Sequence, residues 1–151
     1  MIILNFFWVY MKKELIKVKL DDLKSYGGNP RHNNKSAHQV AKSIELYGYI
    51  NPIVVDENNV ILAGNTRFKA LKLLGSFDEI DVLRVSGLTE SQKNGFVIAD
   101  NKAGEFSKWN YAALERMLEN CELDKEALEC FGILSVKQTK KKLEEMIYGE
   151  A

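Results

Sequence analysis

Apolar residues recur at a period near two in Leu15-Ile-Lys-Val-Lys-Leu20 and Ile80-Asp-Val-Leu-Arg-Val85, which predicts two strands. Pro52-Ile-Val-Val55 and Val60-Ile-Leu-Ala63 flank Asp56-Glu-Asn-Asn59, a hairpin signal in which Asn58 and Asn59 both suit left-handed backbone. Elsewhere the period lengthens to that of a helix. Ala37, Val40, Ala41, Ile44 and Tyr47 form one apolar stripe, with Ser36 and Gln39 as a capping box and Gly48 as the stop. A second helix follows Gly64, buries Phe68, Leu71 and Leu74, and ends at Gly75. A third starts from a capping box at Thr89 and Gln92 and runs to about Lys102, with Gly95 read as a point of close packing. From Asn110 the pattern is helical throughout, with N-caps at Asn110, Asp124 and Ser135, the last boxed by Gln138, and a stop at Gly132. Trp109 is expected to anchor the core rather than to stack on bases. Short strands, interleaved helices and a helical tail predict an α+β (mixed α/β) protein with a small mixed sheet.

Composition changes this picture little; charge distribution changes it more. The chain has 151 residues and no net charge, enough length for one sizeable core and too little positive charge to coat nucleic acid. Yet residues 1–75 carry 11 Lys/Arg against 6 Asp/Glu, and residues 76–151 carry 10 against 15. From Lys24 to Ile44 there are Lys24, Arg31, Lys35, Lys42 and both histidines, with no acid. That stretch includes the turn-rich loop Ser25–Asn34 and reads either as a phosphate-facing surface or as a solvated face. His32 and His38 lack helical ligand spacing, and Cys121 and Cys130 lack a metal-type pattern. Neither a zinc site nor a disulfide framework is implied, and a reducing cytoplasm fits. Met1–Tyr10 is apolar but too short to span a bilayer, and it lacks the features of a signal peptide. It is expected to be an adventitious extension ahead of a natural start at Met11, or a strand that pads the core.

The most specific chemistry lies in Val60-Ile-Leu-Ala-Gly-Asn-Thr-Arg67, where a strand passes through Gly64 into a helix. The first amides of a helix have no partner inside it and lie at the positive end of its dipole. Such a junction suits an anion, phosphate above all, and Arg67 adds a planar, permanent cation.

Several pieces stand in one order: Asn29-Pro-Arg31; Tyr47-Gly-Tyr-Ile-Asn-Pro-Ile-Val-Val55; Leu62-Ala-Gly-Asn-Thr-Arg67; Leu88-Thr-Glu; and Ile98-Ala-Asp-Asn101. Over roughly Ile16 to Trp109 the chain resembles the N-terminal domain of the ParB/sulfiredoxin superfamily. The Ala-Asp-Asn-Lys run and a later Trp-Asn are similar to ParB-like domains of phages and mobile elements, some of them joined to DNA methyltransferases. The resemblance implies that Arg31, Gly64, Asn65, Thr66 and Arg67 hold the phosphates of CTP or another nucleoside triphosphate. It implies that Asp100 and Asn101 assist Mg²⁺ and any hydrolysis, with Asp100 as the metal-facing carboxylate. It divides the chain into an apolar extension (1–11), the ParB-like domain (12–109) and a helical extension (110–151).

The departures are equally specific. Asn65-Thr66 replaces the Glu-Arg centre of the ParB box, removing a cation and a carboxylate. Asn65 also stands where sulfiredoxin carries its catalytic cysteine, so sulfiredoxin activity is excluded. The tail after Trp109 is too short for the helix-turn-helix and dimerisation domains of partitioning ParBs. The expected function is a cytoplasmic nucleotide-binding, DNA-associated module of phage or mobile-element origin. Its expected partner is DNA or a DNA-modifying protein such as a methyltransferase, without a membrane, and the reading allows for a homodimer. The alternatives are an enzyme of the same superfamily (triphosphatase, kinase or nuclease) and an interaction scaffold with a degenerate nucleotide site.

Overall fold

A computed structural model describes residues 11–27, 34–133 and 136–149, and the chain divides into two compact units, 1–105 and 106–151. In the first unit, β1 (Lys12–Lys19), β2 (Ile53–Val55), β3 (Ile61–Ala63) and β4 (Glu79–Ser86) form one sheet in the order β1-β4-β2-β3. β1 runs antiparallel to β4 and β3 antiparallel to β2, whereas β2 and β4 are parallel, so the sheet is mixed as expected. Beyond β3, Lys24 N–H donates to Asn59 O at 2.9 Å and Ile61 N–H to Lys24 O at 2.8 Å. These bonds cover an edge that would otherwise offer unpaired backbone groups.

Three helices pack on this sheet: α1 (Asn34–Tyr47), α2 (Asn65–Leu74) and α3 (Glu90–Ala103). Ala41 and Ile44 of α1 and Ala70 and Leu71 of α2 join Val18, Ile53, Val55, Ile61, Ile80 and Val82 in the main core. Successive strand residues point to opposite faces, so Ile53 and Val55 enter this core while Val54 faces the other side. There Val54, Leu62, Leu83 and Val85 border an apolar cavity of about 300 Å³ with Phe96 of α3.

The second unit holds α4 (Tyr111–Glu119), α5 (Lys125–Phe131) and α6 (Val136–Tyr148). Asn110 accepts from Ala113 N–H at 3.1 Å and Asp124 from Ala127 N–H at 2.7 Å, as their N-cap roles require. Leu114, Leu118 and Ala127 are buried, and Lys140 of α6 pairs with Glu115 at 3.2 Å and Glu119 at 3.3 Å on α4. Among the described residues, no helix is long and apolar enough to cross a membrane.

Several local expectations are corrected. β1 extends back to Lys12 and stops at Lys19, and Leu20–Asp22 forms a tight 3-10 turn. α1 begins at Asn34, so Ser36 is its third residue and not its cap; a cap contributes only about 1 kcal/mol, too little to fix a helix start against its surroundings. Tyr47 is 55% exposed, because it is the last residue of α1, where Gly48 (φ +82°) turns the chain. Of the two hairpin asparagines only Asn59 is left-handed (φ +61°). Gly95 is exposed and a side chain there would meet nothing, so it marks no close packing. Trp109 is 65% exposed, since it precedes α4 outside the small core that the second unit builds. The Ser135 cap and the Met1–Tyr10 segment lie outside the described residues.

Candidate functional site

The site begins with a backbone turn. β3 ends at Ala63, and Gly64 takes φ +102° and ψ +23°, a left-handed conformation that strains any residue with a Cβ. Its carbonyl accepts Phe68 N–H at 2.9 Å and starts α2, so the first-turn amides of Asn65, Thr66 and Arg67 lie at the positive end of that helix. Gly64 is needed for a second reason. A Cβ there would stand 2.9 Å from one terminal nitrogen of Arg67, 3.0 Å from its Nε and 3.1 Å from Ile53 Cγ1. The guanidinium therefore folds back over bare backbone. Its Nε is buried and has no hydrogen-bond partner among the described residues.

A cavity of about 320 Å³ opens at this turn. Leu62 and Ala63 at the end of β3 line it, followed by Gly64, Asn65, Thr66 and Arg67. Ser36 and Val40 of α1 line one side, and Asp100 and Asn101 of α3 line it as well. Residues as far apart in sequence as Ser36 and Asn101 thus border one space. Asn101 is partly held: its Nδ2 donates to Val97 O at 2.9 Å, and Asp100 is exposed. Arg31 lies outside the described residues.

Arg67 also lines a second cavity, of about 340 Å³, with Val40, Ser43 and Ile44 of α1 and Gly48, Tyr49 and Ile50 beyond it. Tyr49 is fixed there, its hydroxyl accepting Ile53 N–H at 2.7 Å. Burial pushes the Tyr49 hydroxyl pKa up, opposed by the Ile53 bond and the Arg67 charge.

Among the residues lining the first cavity, Asp100 is the one carboxylate. Among the described residues, no group of three or more His, Cys, Asp or Glu side chains could hold a metal by itself. That donor set does not suit a resident ion. It does suit Mg²⁺ delivered on phosphate oxygens, because Mg²⁺ keeps several waters and takes one or two carboxylates.

One polar cluster escaped sequence reasoning. Asp56 and Lys93 are each 4% exposed, with Lys93 Nζ 2.9 Å from Asp56 Oδ2. Asp56 Oδ1 also accepts Asn58 N–H at 2.8 Å and Val60 N–H at 2.9 Å, which shapes the hairpin turn. Burial pushes the Asp56 carboxyl up, but the bonds from Lys93, Val60 and Asn58 prevail and hold it below its usual value. The Asp56 bond, against the penalty of burial and with help from Glu90 and Glu57, raises Lys93 above the ordinary lysine range. One signal was available: Lys93 stands four residues before Val97, on the face that α3 buries.

No family model matches the chain. A ParB-like nuclease domain-containing protein of Escherichia coli K12, YnaK, is 35% identical over 83 residues, spanning 54% of this chain and 94% of that relative. The chain belongs to the ParB-like nuclease domain family. Solved ParB structures share its fold. The C-terminally truncated chromosome-partitioning protein ParB of Caulobacter crescentus, complexed with CTP-gamma-S, matches 89% of this chain and 79% of its own at a TM-score of 0.62 and 16% identity. A Pnob8-like ParB-N domain matches 91% of this chain and 70% of its own at a TM-score of 0.52 and 17% identity. In this ParB-like chain the turn at Gly64, the Arg67 guanidinium and the Asp100–Asn101 end of α3 surround a single cavity.

Proposed function

We propose that this ParB-like domain binds a nucleoside triphosphate, CTP or a relative, together with Mg²⁺, in the cavity bordered by α1, α2 and α3. The observation that carries this reading is the convergence, on one 320 Å³ space, of the α2 N-terminus, a guanidinium whose buried Nε has no hydrogen-bond partner among the described residues, and the carboxylate of Asp100. The first-turn amides and Arg67 suit phosphate oxygens, and Asn65 and Thr66 add side-chain hydrogen-bonding groups. In this reading Asp100, with Asn101 beside it, takes part in holding the cation on the phosphates, which its position in the cavity lining supports. The adjoining cavity at Tyr49 shares Arg67 with the first and has an apolar wall, so it suits a base. Arg31 adds a further phosphate-binding cation in this reading. The ParB relative of known structure holds a CTP analogue, which favours a nucleotide over other anions.

In this proposal the module works in the cytoplasm with DNA or with a DNA-modifying protein such as a methyltransferase, and belongs to a phage or mobile element. Residues 12–109 form the nucleotide-binding part, and the acidic helices α4 and α5 suit a protein partner better than DNA. Isothermal titration of the full chain with CTP, ATP and GTP plus Mg²⁺ tests the core of the reading. Saturable binding of one nucleotide, weakened at least about tenfold in Arg67→Ala by loss of a charge-assisted bond, is the expected result. Equal, weak heat from all three in both proteins would overturn it.

A further inference from the structure

α3 packs along β3, and both ends of that contact are polar. At one end Lys93 reaches Asp56 at 2.9 Å, with Glu90 at 3.0 Å and Glu57 at 3.6 Å completing the cluster. At the other end Asp100 and Asn101 line the cavity at Gly64–Arg67. Between them Val97 is 2% exposed. Lys93, Val97 and Asn101 recur every four residues and share one face of the helix. Eight helical residues advance about 12 Å. The four strand steps from Val60, which donates to Asp56, to Gly64 advance about 13 Å. The Lys93–Asn101 stretch of α3 and the Val60–Gly64 stretch that contains β3 are therefore of similar length, with an ion pair at one end and the cavity at the other.

Replacing a buried ion pair by apolar groups is often neutral or stabilising, so net stability is a poor explanation for this one. Its bonds are directional, however, and they reach the turn from which β3 starts. We propose that the Lys93–Asp56 pair is a positioning device, setting the register of α3 against β3 so that Asp100 and Asn101 meet the ligand held at Gly64–Arg67. This rests on the nucleotide reading above and adds the means by which its two halves are held in register. Coupling between sites is reciprocal, so a ligand that bridges α2 and α3 also tightens the pair at the far end.

Two measurements on the full chain test this. The first is hydrogen exchange with and without CTP and Mg²⁺, ATP and GTP serving as further probes. Slower exchange is expected at the cavity and also at Asn58 and Val60, the amides bonded to Asp56. Protection confined to the cavity overturns the proposal. The second is titration of Asp56→Asn/Lys93→Gln, a neutral pair able to keep the turn bonds. The gain in affinity that Mg²⁺ brings should fall about tenfold, within the usual range of coupling between sites, while Mg²⁺-free affinity stays unchanged. A merely structural pair would leave the Mg²⁺ gain intact in the folded variant, and that result overturns the proposal. If the variant does not fold, the exchange experiment on the unsubstituted chain decides. No binding of any probe to the unsubstituted chain defeats the nucleotide reading itself, which is distinct from binding without long-range protection.

Discussion

Gly64 shows how much a single residue can settle. Its φ of +102° and the 2.9 Å approach of Arg67 leave no room for a methyl group. Gly64→Ala is expected to lower stability by about 1–3 kcal/mol from backbone strain. It should also weaken nucleotide binding, because Arg67 must move. Urea unfolding followed by titration of the folded protein checks both effects, and a variant equal to the parent in each would sink the argument. The Lys93–Asp56 pair makes a prediction about pH. The folded carboxyl of Asp56 is lowered, so its contribution is complete above the unfolded value near 3.9 and is lost as pH falls through the folded value. The folded amine of Lys93 is raised, so its contribution is complete below about 10.4 and is lost as pH rises through the folded value. The stability difference between the parent and Asp56→Asn/Lys93→Gln should therefore be flat from about pH 5 to 9 and change outside that window. A difference that varies across neutral pH would count against the pair as the cause.

At the scale of elements, α3 has a well-defined start. Thr89 and Gln92 form the full capping box, with Gln92 N–H donating to Thr89 Oγ1 at 3.3 Å and Thr89 N–H to Gln92 Oε1 at 2.9 Å. Thr89 is exposed, so Thr89→Ala should cost about 1 kcal/mol without disturbing the core. Thermal unfolding measures this; a loss several times larger would mean that Thr89 has a role beyond the cap. α2 depends on glycines at both ends, with Gly75 at φ +65° donating to Leu71 O at 3.1 Å. The capping box and the Gly75 stop were legible in the sequence because capping is local. The start of α1 was not, because the helix begins at Asn34, two residues before the apparent cap at Ser36, which falls inside its first turn.

At the scale of the molecule, the first unit contains the whole sheet and the main core. Residues 1–105 alone are expected to unfold cooperatively on heating, because a chain of roughly 100 residues buries enough surface to fold. Circular dichroism through the transition checks this, and a gradual melt without a sigmoid would refute it. The second unit buries only a small core and leaves Met117, Ile147 and Tyr148 well exposed.

The sequence by itself determined the strands, the hairpin, most helix ends and the strand–glycine–helix junction, because each depends on periodicity, on turn chemistry or on contacts within a few residues. It also placed Gly64–Arg67 and Asp100–Asn101 in the order from which the ParB resemblance was drawn. Tertiary structure alone decided which distant residues share a space. The back-folded Arg67 guanidinium needs Gly64 and Ile53 around it, and the burial of Lys93 needs a carboxylate 37 positions earlier. Burial belongs to the packed chain and not to a residue type. For that reason Trp109, apolar and aromatic, stayed outside, while a lysine and an aspartate went in.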